Sequence, residues 1–364
     1  WSSDVCSSDL IRESLSFINI TGKGSQALLD NCTFRENCAI TSNFSDGIIV
    51  SNSTFQSYKH QVNSIIVAYS SAVTLTGNVN FTDSVTGINK PDYSSGTAVF
   101  LRTAHPEFKS SLNITTGATV DFVNLTCSND GGAVYGENAM IHIGARTRVV
   151  FMHNIASSHG GTVCLRNGRV TVGAESCVTF TYNQASLGGA VWINNVTFLV
   201  DSEANLTFSH NSASIYGGAV MLYNGAELIV NANANLNFSN NFAVHGGALI
   251  LINNSTAHVD TSGVLFHNNS GSLGGALHFV YSTMNISSNK SIKFIMNTAQ
   301  IKGGAIYIEI GIRPSIIIGN YSKLLLFNNS AFQGGAVYTM PSLFMIIFEH
   351  QSSIQFINNT ASDV

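Results

Sequence analysis

"FSHNSASIYGGAVMLYN", residues 208–224, decides the fold, because the order of Phe208, Asn211, Ala213 and the pair Gly217–Gly218 returns along the chain. It recurs as "FTYNQASLGGAVWINN" from Phe180, "FSNNFAVHGGALILIN" from Phe238, "FHNNSGSLGGALHFVY" from Phe266 and "FIMNTAQIKGGAIYIEI" from Phe294. Gly-Gly pairs begin at Gly131, Gly160, Gly188, Gly217, Gly246, Gly274, Gly303 and Gly334, in steps of 28–31 residues. A period this steady marks a stack of structural repeats.

Each period holds three short runs with the alternation of half-buried strands. After the glycines, Val191 and Ile193 repeat as Val220 and Leu222, then Leu249 and Leu251. A middle run carries pairs such as Val170/Val172 and Leu228/Val230, and the third ends on the phenylalanine. One such period cannot bury its apolar face alone, but stacking periods as a coil pairs each strand with its copies and closes a continuous core. The expected fold is therefore all-β: a single right-handed parallel β-helix of roughly 12 coils, three short strands per coil, about 60 Å long at about 4.8 Å per rung.

The motif then reads column by column. Phe151, Phe180, Phe208, Phe238, Phe266, Phe294 and Phe356 are expected to stack in the lumen. Three residues on, Asn154, Asn183, Asn211, Asn241, Asn269, Asn297 and Asn359 read as an internal ladder, since asparagine tolerates the left-handed region and its amide can bond to its own copies. Gly-Gly supplies positive φ and close backbone approach at the next corner. Phe327 falls out of register before Asn329, which predicts a distorted turn there.

Three stretches follow from where the pattern holds. Residues 1–10, "WSSDVCSSDL", resemble a translated adapter artefact and are set aside. Residues 11–121 read as degenerate coils with an insertion near 86–110, and 122–364 as regular repeats continuous with them. Neither end carries a polar cap, so the sequence reads as a piece of a longer protein.

Composition narrows the function. Charged residues make up 10% and the formal net charge is −4, which leaves no basic surface for nucleic acid. No run approaches about 18 consecutive apolar residues, so no membrane-spanning helix is expected. Of the cysteines, Cys32 and Cys38 flank "TFREN" and could pair locally, while Cys127, Cys164 and Cys177 match no zinc spacing. Eighteen of the 39 asparagines, from Asn19 to Asn358, start an N-x-S/T acceptor sequence.

Catalytic signals are weak. Glycan cleavage needs paired carboxylates on neighbouring rungs. Glu175 and Glu203 align five residues before their phenylalanines, with Arg146 one rung below, but they read as a solvated charge stack in a turn. His153, His210 and His267 lie near the phenylalanine turn but not in one column on adjacent rungs. No H-E-x-x-H or calcium nonapeptide is present, and no catalytic residue, metal or cofactor is expected. The binding candidate is the outward column after Gly-Gly: Tyr135, Trp192, Met221, His278, Tyr307 and Tyr338, with Cys164 and Ile250 between them. It should project from one face of one sheet, either as an apolar stripe for sugars or proteins or as in-register side chains that stabilise one another by stacking or lie under another part of the protein.

F-x-x-N combined with G-G-A-[ILV] resembles the repeat of the chlamydial polymorphic outer membrane proteins, closely over 122–361 and weakly over 11–121. The resemblance implies a non-enzymatic, adhesin-like protein, extracellular or on the cell surface (the outer membrane in a bacterium), with glycans or cell-surface proteins as partners. It implies autotransporter-like export, with membrane attachment only through an anchor outside this sequence. The alternative is a carbohydrate-active enzyme of the pectin-lyase-like β-helix type, its active coils outside this sequence or in the 86–110 insertion, with Asp92, Glu107 and Asp121 as the carboxylates to test.

Overall fold

The computed structural model describes residues 2–4, 10–11, 16–35, 38–60, 64–86, 95–105, 109–309, 315–341 and 346–363. Among them the regular structure is β-strand throughout, with no helix, and the strands pair in parallel with their copies. The chain winds as a β-solenoid of about ten turns rather than the roughly twelve expected. Coils use unequal lengths of chain: the one running from Phe81 to its partner Phe122 also takes in the 86–110 stretch.

One coil shows how sequence becomes structure. The strand Asn205–Ser209 ends at His210, whose φ of 55° turns the chain out of the sheet, and Asn211 follows. A fourth short strand, Ser212–Tyr216, not foreseen from the alternation, leads to the Gly217–Gly218 corner. Val220–Tyr223 and Glu227–Val230 then join the first sheet, both pairing with the continuous strand Val191–Val200 and separated here by the left-handed pair Asn224–Gly225. Asn235–Ser239 returns onto Asn205–Ser209, with Phe238 directly against Phe208.

The phenylalanines form an unbroken stack from Phe34 through Phe55, Phe81 and Phe122 to Phe294, with ring centroids 4.6–5.1 Å apart. The degenerate coils therefore share the lumen of the regular ones. At the rung expected to be distorted, Leu326 takes the lumen position between Phe294 and Phe356, while Phe327 points outward and the turn keeps its geometry. Of the first ten residues, Ser2–Asp4 pairs with Gln26–Leu28.

Asn211 is buried and fully bonded. Its amide nitrogen donates to the Phe180 carbonyl at 3.0 Å and to Asn241 Oδ1 at 3.1 Å, and its backbone N–H donates to the same Oδ1 at 3.0 Å. Its own Oδ1 accepts from the backbone and amide of Asn183. The pattern runs from Asn154 to Asn359, with Asn329 also in the column. Aspartate lacks the two donors this arrangement needs.

The two corner glycines do different jobs. Gly217 supplies a φ of +61° and a Cβ there would run into the Val220 carbonyl of its own coil, whereas a Cβ on Gly218 would run into the Gly247 carbonyl of the next rung. Gly218→Ala must therefore force coils apart, and a loss above about 3 kcal/mol is expected in urea unfolding. Gly225→Ala, where φ is +72° but nothing lies within 4 Å, should lose only about 1–2 kcal/mol. Equal losses would contradict the close contact between coils at Gly218.

Candidate functional site

The outward stripe is aligned as expected but is not exposed. Cys164 pairs with Trp192, Trp192 with Met221, Met221 with Ile250, Ile250 with His278 and His278 with Tyr307. All six are buried, Trp192 being 3% and His278 1% exposed, and only the end residues Tyr135 and Tyr338 are half-buried. As it stands, this column cannot serve as a platform for sugars. The residue immediately before each Gly-Gly covers it. Leu187 and Tyr216 pack on the Trp192–Met221–Ile250 group, the His159 ring lies 4.6 Å from Trp192, and Lys302 sits 4.4 Å over Tyr338. The close approach at Gly-Gly folds the short strand onto the first sheet, making a second, narrow core outside the lumen.

Both ends of this second core are polar. Asp130, 5% exposed, receives His159 Nδ1 at 2.6 Å and Arg166 at 3.1 Å, and Arg166 lies 5.0 Å over the Trp192 ring. Burial raises the Asp130 pKa, but the hydrogen bond from His159 and the charge of Arg166 leave it below the usual carboxylate range. Burial, with nearby Cys164, pushes the Tyr135 phenol up to about 12. At the other end, His278 Nε2 meets Glu309 at 3.2 Å, and the His245 ring lies 5.5 Å away. Burial holds His278 below the usual histidine range despite Glu309, and the bond from His278 lowers Glu309. Trp192 Nε1 and the Nδ1 atoms of His245 and His278 are sealed from solvent without a hydrogen-bond partner.

The other candidates are dispersed. Glu175 and Glu203 are exposed at left-handed turn positions, in line with Arg146. Asp121 pairs with Arg148 at 3.0 Å, whereas Asp92, Glu107, most of the 86–96 insertion, Cys6 and the Cys38 side chain lie outside the described residues. Cys164 is buried and Cys177 exposed. Among the described residues, no three His, Cys, Asp or Glu side chains gather as a metal site would require. A lumen gap of about 20 Å³ beside Phe151 and Phe180 is lined by carbon alone and is a packing defect.

An exposed ring column lies elsewhere. His153, Tyr182 and His210, each two residues past its phenylalanine, stack on consecutive rungs with centroids 5.0 and 4.8 Å apart. The two histidines thus share one column with Tyr182 between them, while His267 belongs to the neighbouring column opposite Ser239. All three rings sit at φ of 55°, where Asn240, Asn268, Asn328 and Asn358 stand on other rungs. Tyr182 is 51% exposed, and Ile155 and Phe242 lie exposed alongside. The sequence signal for this column is the asparagine recurring two residues after the phenylalanine.

No protein-family model matches the chain, and neither a curated protein nor a solved structure matches it.

The second core makes stability depend on pH. An unfolded histidine takes up its proton near pH 6.5, but His278 resists it in the fold, so the unfolded chain binds more protons as pH falls. Stability should be full above about pH 6.5 and decline below it. His278→Phe should flatten the decline of melting temperature between pH 7 and 5, leaving the smaller slope from His245, which burial also lowers. An unchanged slope would contradict the assignment.

Proposed function

We propose that this chain is a non-enzymatic, adhesin-like β-helical rod of the cell surface or extracellular space, which holds glycans or surface proteins along its exposed ring column. The observation that carries the reading is the His153–Tyr182–His210 ladder. A bulky ring held in the left-handed region costs about 1–2 kcal/mol. Asparagine fills the same position at little cost on other rungs, and strain of this kind concentrates where a surface is used. The ring faces stack on one another, so their edges face outward, carrying the phenol hydroxyl and imidazole nitrogens. An amphipathic ridge of this kind suits hydroxyl-rich glycans and mixed protein surfaces. The likeness of the repeat to chlamydial surface proteins supports the same reading.

The carboxylates favour adhesion over catalysis. Asp121, Asp130, Glu137 and Asp260 each sit against arginine or lysine rather than against a second acid. In cell- and glycan-binding assays, Tyr182→Ala with His210→Ala should weaken binding at least about tenfold, on the scale of losing a small hot spot. The urea midpoint should change little, because alanine carries the same Cβ in the left-handed position and only exposed ring contacts are lost. Undiminished binding would refute the role of the column. Cleavage of uronate polymers or other glycans, lost in Asp92→Asn, Glu107→Gln or Asp121→Asn, would replace the reading with the lyase or hydrolase alternative.

A further inference from the structure

We propose that exposed asparagines on the turns and outer edges carry N-linked glycans, and that these glycans frame a bare window over the His153–Tyr182–His210 column. The inference rests on the reading of this chain as an exported surface protein.

The fold sorts the asparagines by chemistry. Of the eighteen that begin an N-x-S/T sequence, twelve are exposed, six are half-buried and none is buried. The buried ladder asparagines begin no such sequence, because the residue two positions on is always a small one, as with Ala156, Ala213 and Gly271. Their amides are also saturated: Asn211 Nδ2 donates to both the Phe180 carbonyl and Asn241 Oδ1. Among the outer acceptors Asn52 engages its amide twice, on Asp30 and Ser51, but Asn124, Asn195 and Asn268 each donate one amide hydrogen along the surface, to Asp83, Asn167 and Asn240. A primary amide has two hydrogens, so each keeps one to exchange for a sugar without breaking its bond.

The transfer balances with a lipid-linked oligosaccharyl diphosphate as donor. Asparagine Nδ2 attacks the sugar C1, the N–C1 bond forms and the C1–O bond to the diphosphate breaks. The diphosphate leaves with the electron pair, and one amide proton is released.

Placement gives the pattern its meaning. In the turn column after the phenylalanine, Asn124, Asn268, Asn328 and Asn358 begin acceptor sequences. His153, Tyr182, His210 and Asn240 lie between Asn124 and Asn268, and none of them does. Between residues 122 and 364, the short strands that follow the ladder lack acceptor sequences, and so do the strands that follow the Gly-Gly corner, except for Asn195 within Val191–Val200. Glycans on Asn195, Asn254 and Asn289 would cover the other turns. The ring column and the exposed Ile155 and Phe242 are left uncovered.

The test is site mapping of the full chain, expressed behind a secretory leader in eukaryotic cells. Peptide N-glycosidase treatment in heavy-oxygen water converts each glycosylated asparagine to labelled aspartate. Conversion is expected at Asn124, Asn195, Asn254, Asn268, Asn289 and Asn328 and not at the ladder, and Thr126→Ala should abolish it at Asn124 alone. Unconverted asparagines in protein recovered from the secretory compartment or medium would overturn the proposal. Phe242→Thr places an acceptor sequence at Asn240 inside the window. A glycan there should reduce cell or glycan binding at least about tenfold, and full binding by the glycosylated variant would overturn the window. Conversion at the six sites without any cell or glycan binding by the parent protein would refute the adhesive reading and leave the glycans standing.

Discussion

The structure depends on one asparagine amide per coil. Where the phenylalanine strand ends, the chain must leave the sheet through a left-handed residue, and the ladder of backbone hydrogen bonds breaks inside the protein. Buried backbone groups left without partners cost about 1–3 kcal/mol each. The Asn211 amide caps the Phe180 carbonyl and reaches Asn241 at the same time, so one side chain ties the rung before it to the rung after it. Because each amide bonds to its copy, the rungs are held in register. That register places Phe208 on Phe238 and the second glycine of each corner against the next.

The surface follows from this frame. Close glycine contacts fold the short strand onto the first sheet and bury Trp192, Met221 and His278 in a second core, so the side chains most suggestive of a site become structural. The turn before the ladder stands clear of the core and tolerates what its backbone allows. Asparagine fits that position readily. The aromatic rings at His153, Tyr182 and His210 are maintained against a conformational cost, and the acceptor asparagines fall to either side of them.

The lumen, ladder and corner were legible in the sequence because each column repeats one residue type. The second core was not: the column before Gly-Gly runs Asp130, His159, Leu187, Tyr216, His245, Leu273, Lys302 and Gln333, with no shared chemistry to mark it. Alternation correctly set Trp192 and Met221 on the outside of the main sheet, but outside the sheet is not the same as exposed. How far the corner closes is set by glycine contacts between coils, which a single period does not encode. Phe55, Phe81 and Phe122 are not legible as lumen residues because uneven coil lengths hide their spacing. Leu326 is masked by the phenylalanine next to it, which matches the repeat one residue out of register.

The most direct measurement is a double-mutant cycle between Asn211 and Asn241, with Asn211→Ala, Asn241→Ala and the double variant compared by urea unfolding. If the ladder is a connected network, the two losses couple by more than about 1 kcal/mol, because the second substitution removes a partner already lost. Strict additivity, within about 0.3–0.5 kcal/mol, would mean that each asparagine merely caps the phenylalanine carbonyl of the rung before it, contradicting the asparagine-to-asparagine ladder as the element that holds the coils in register.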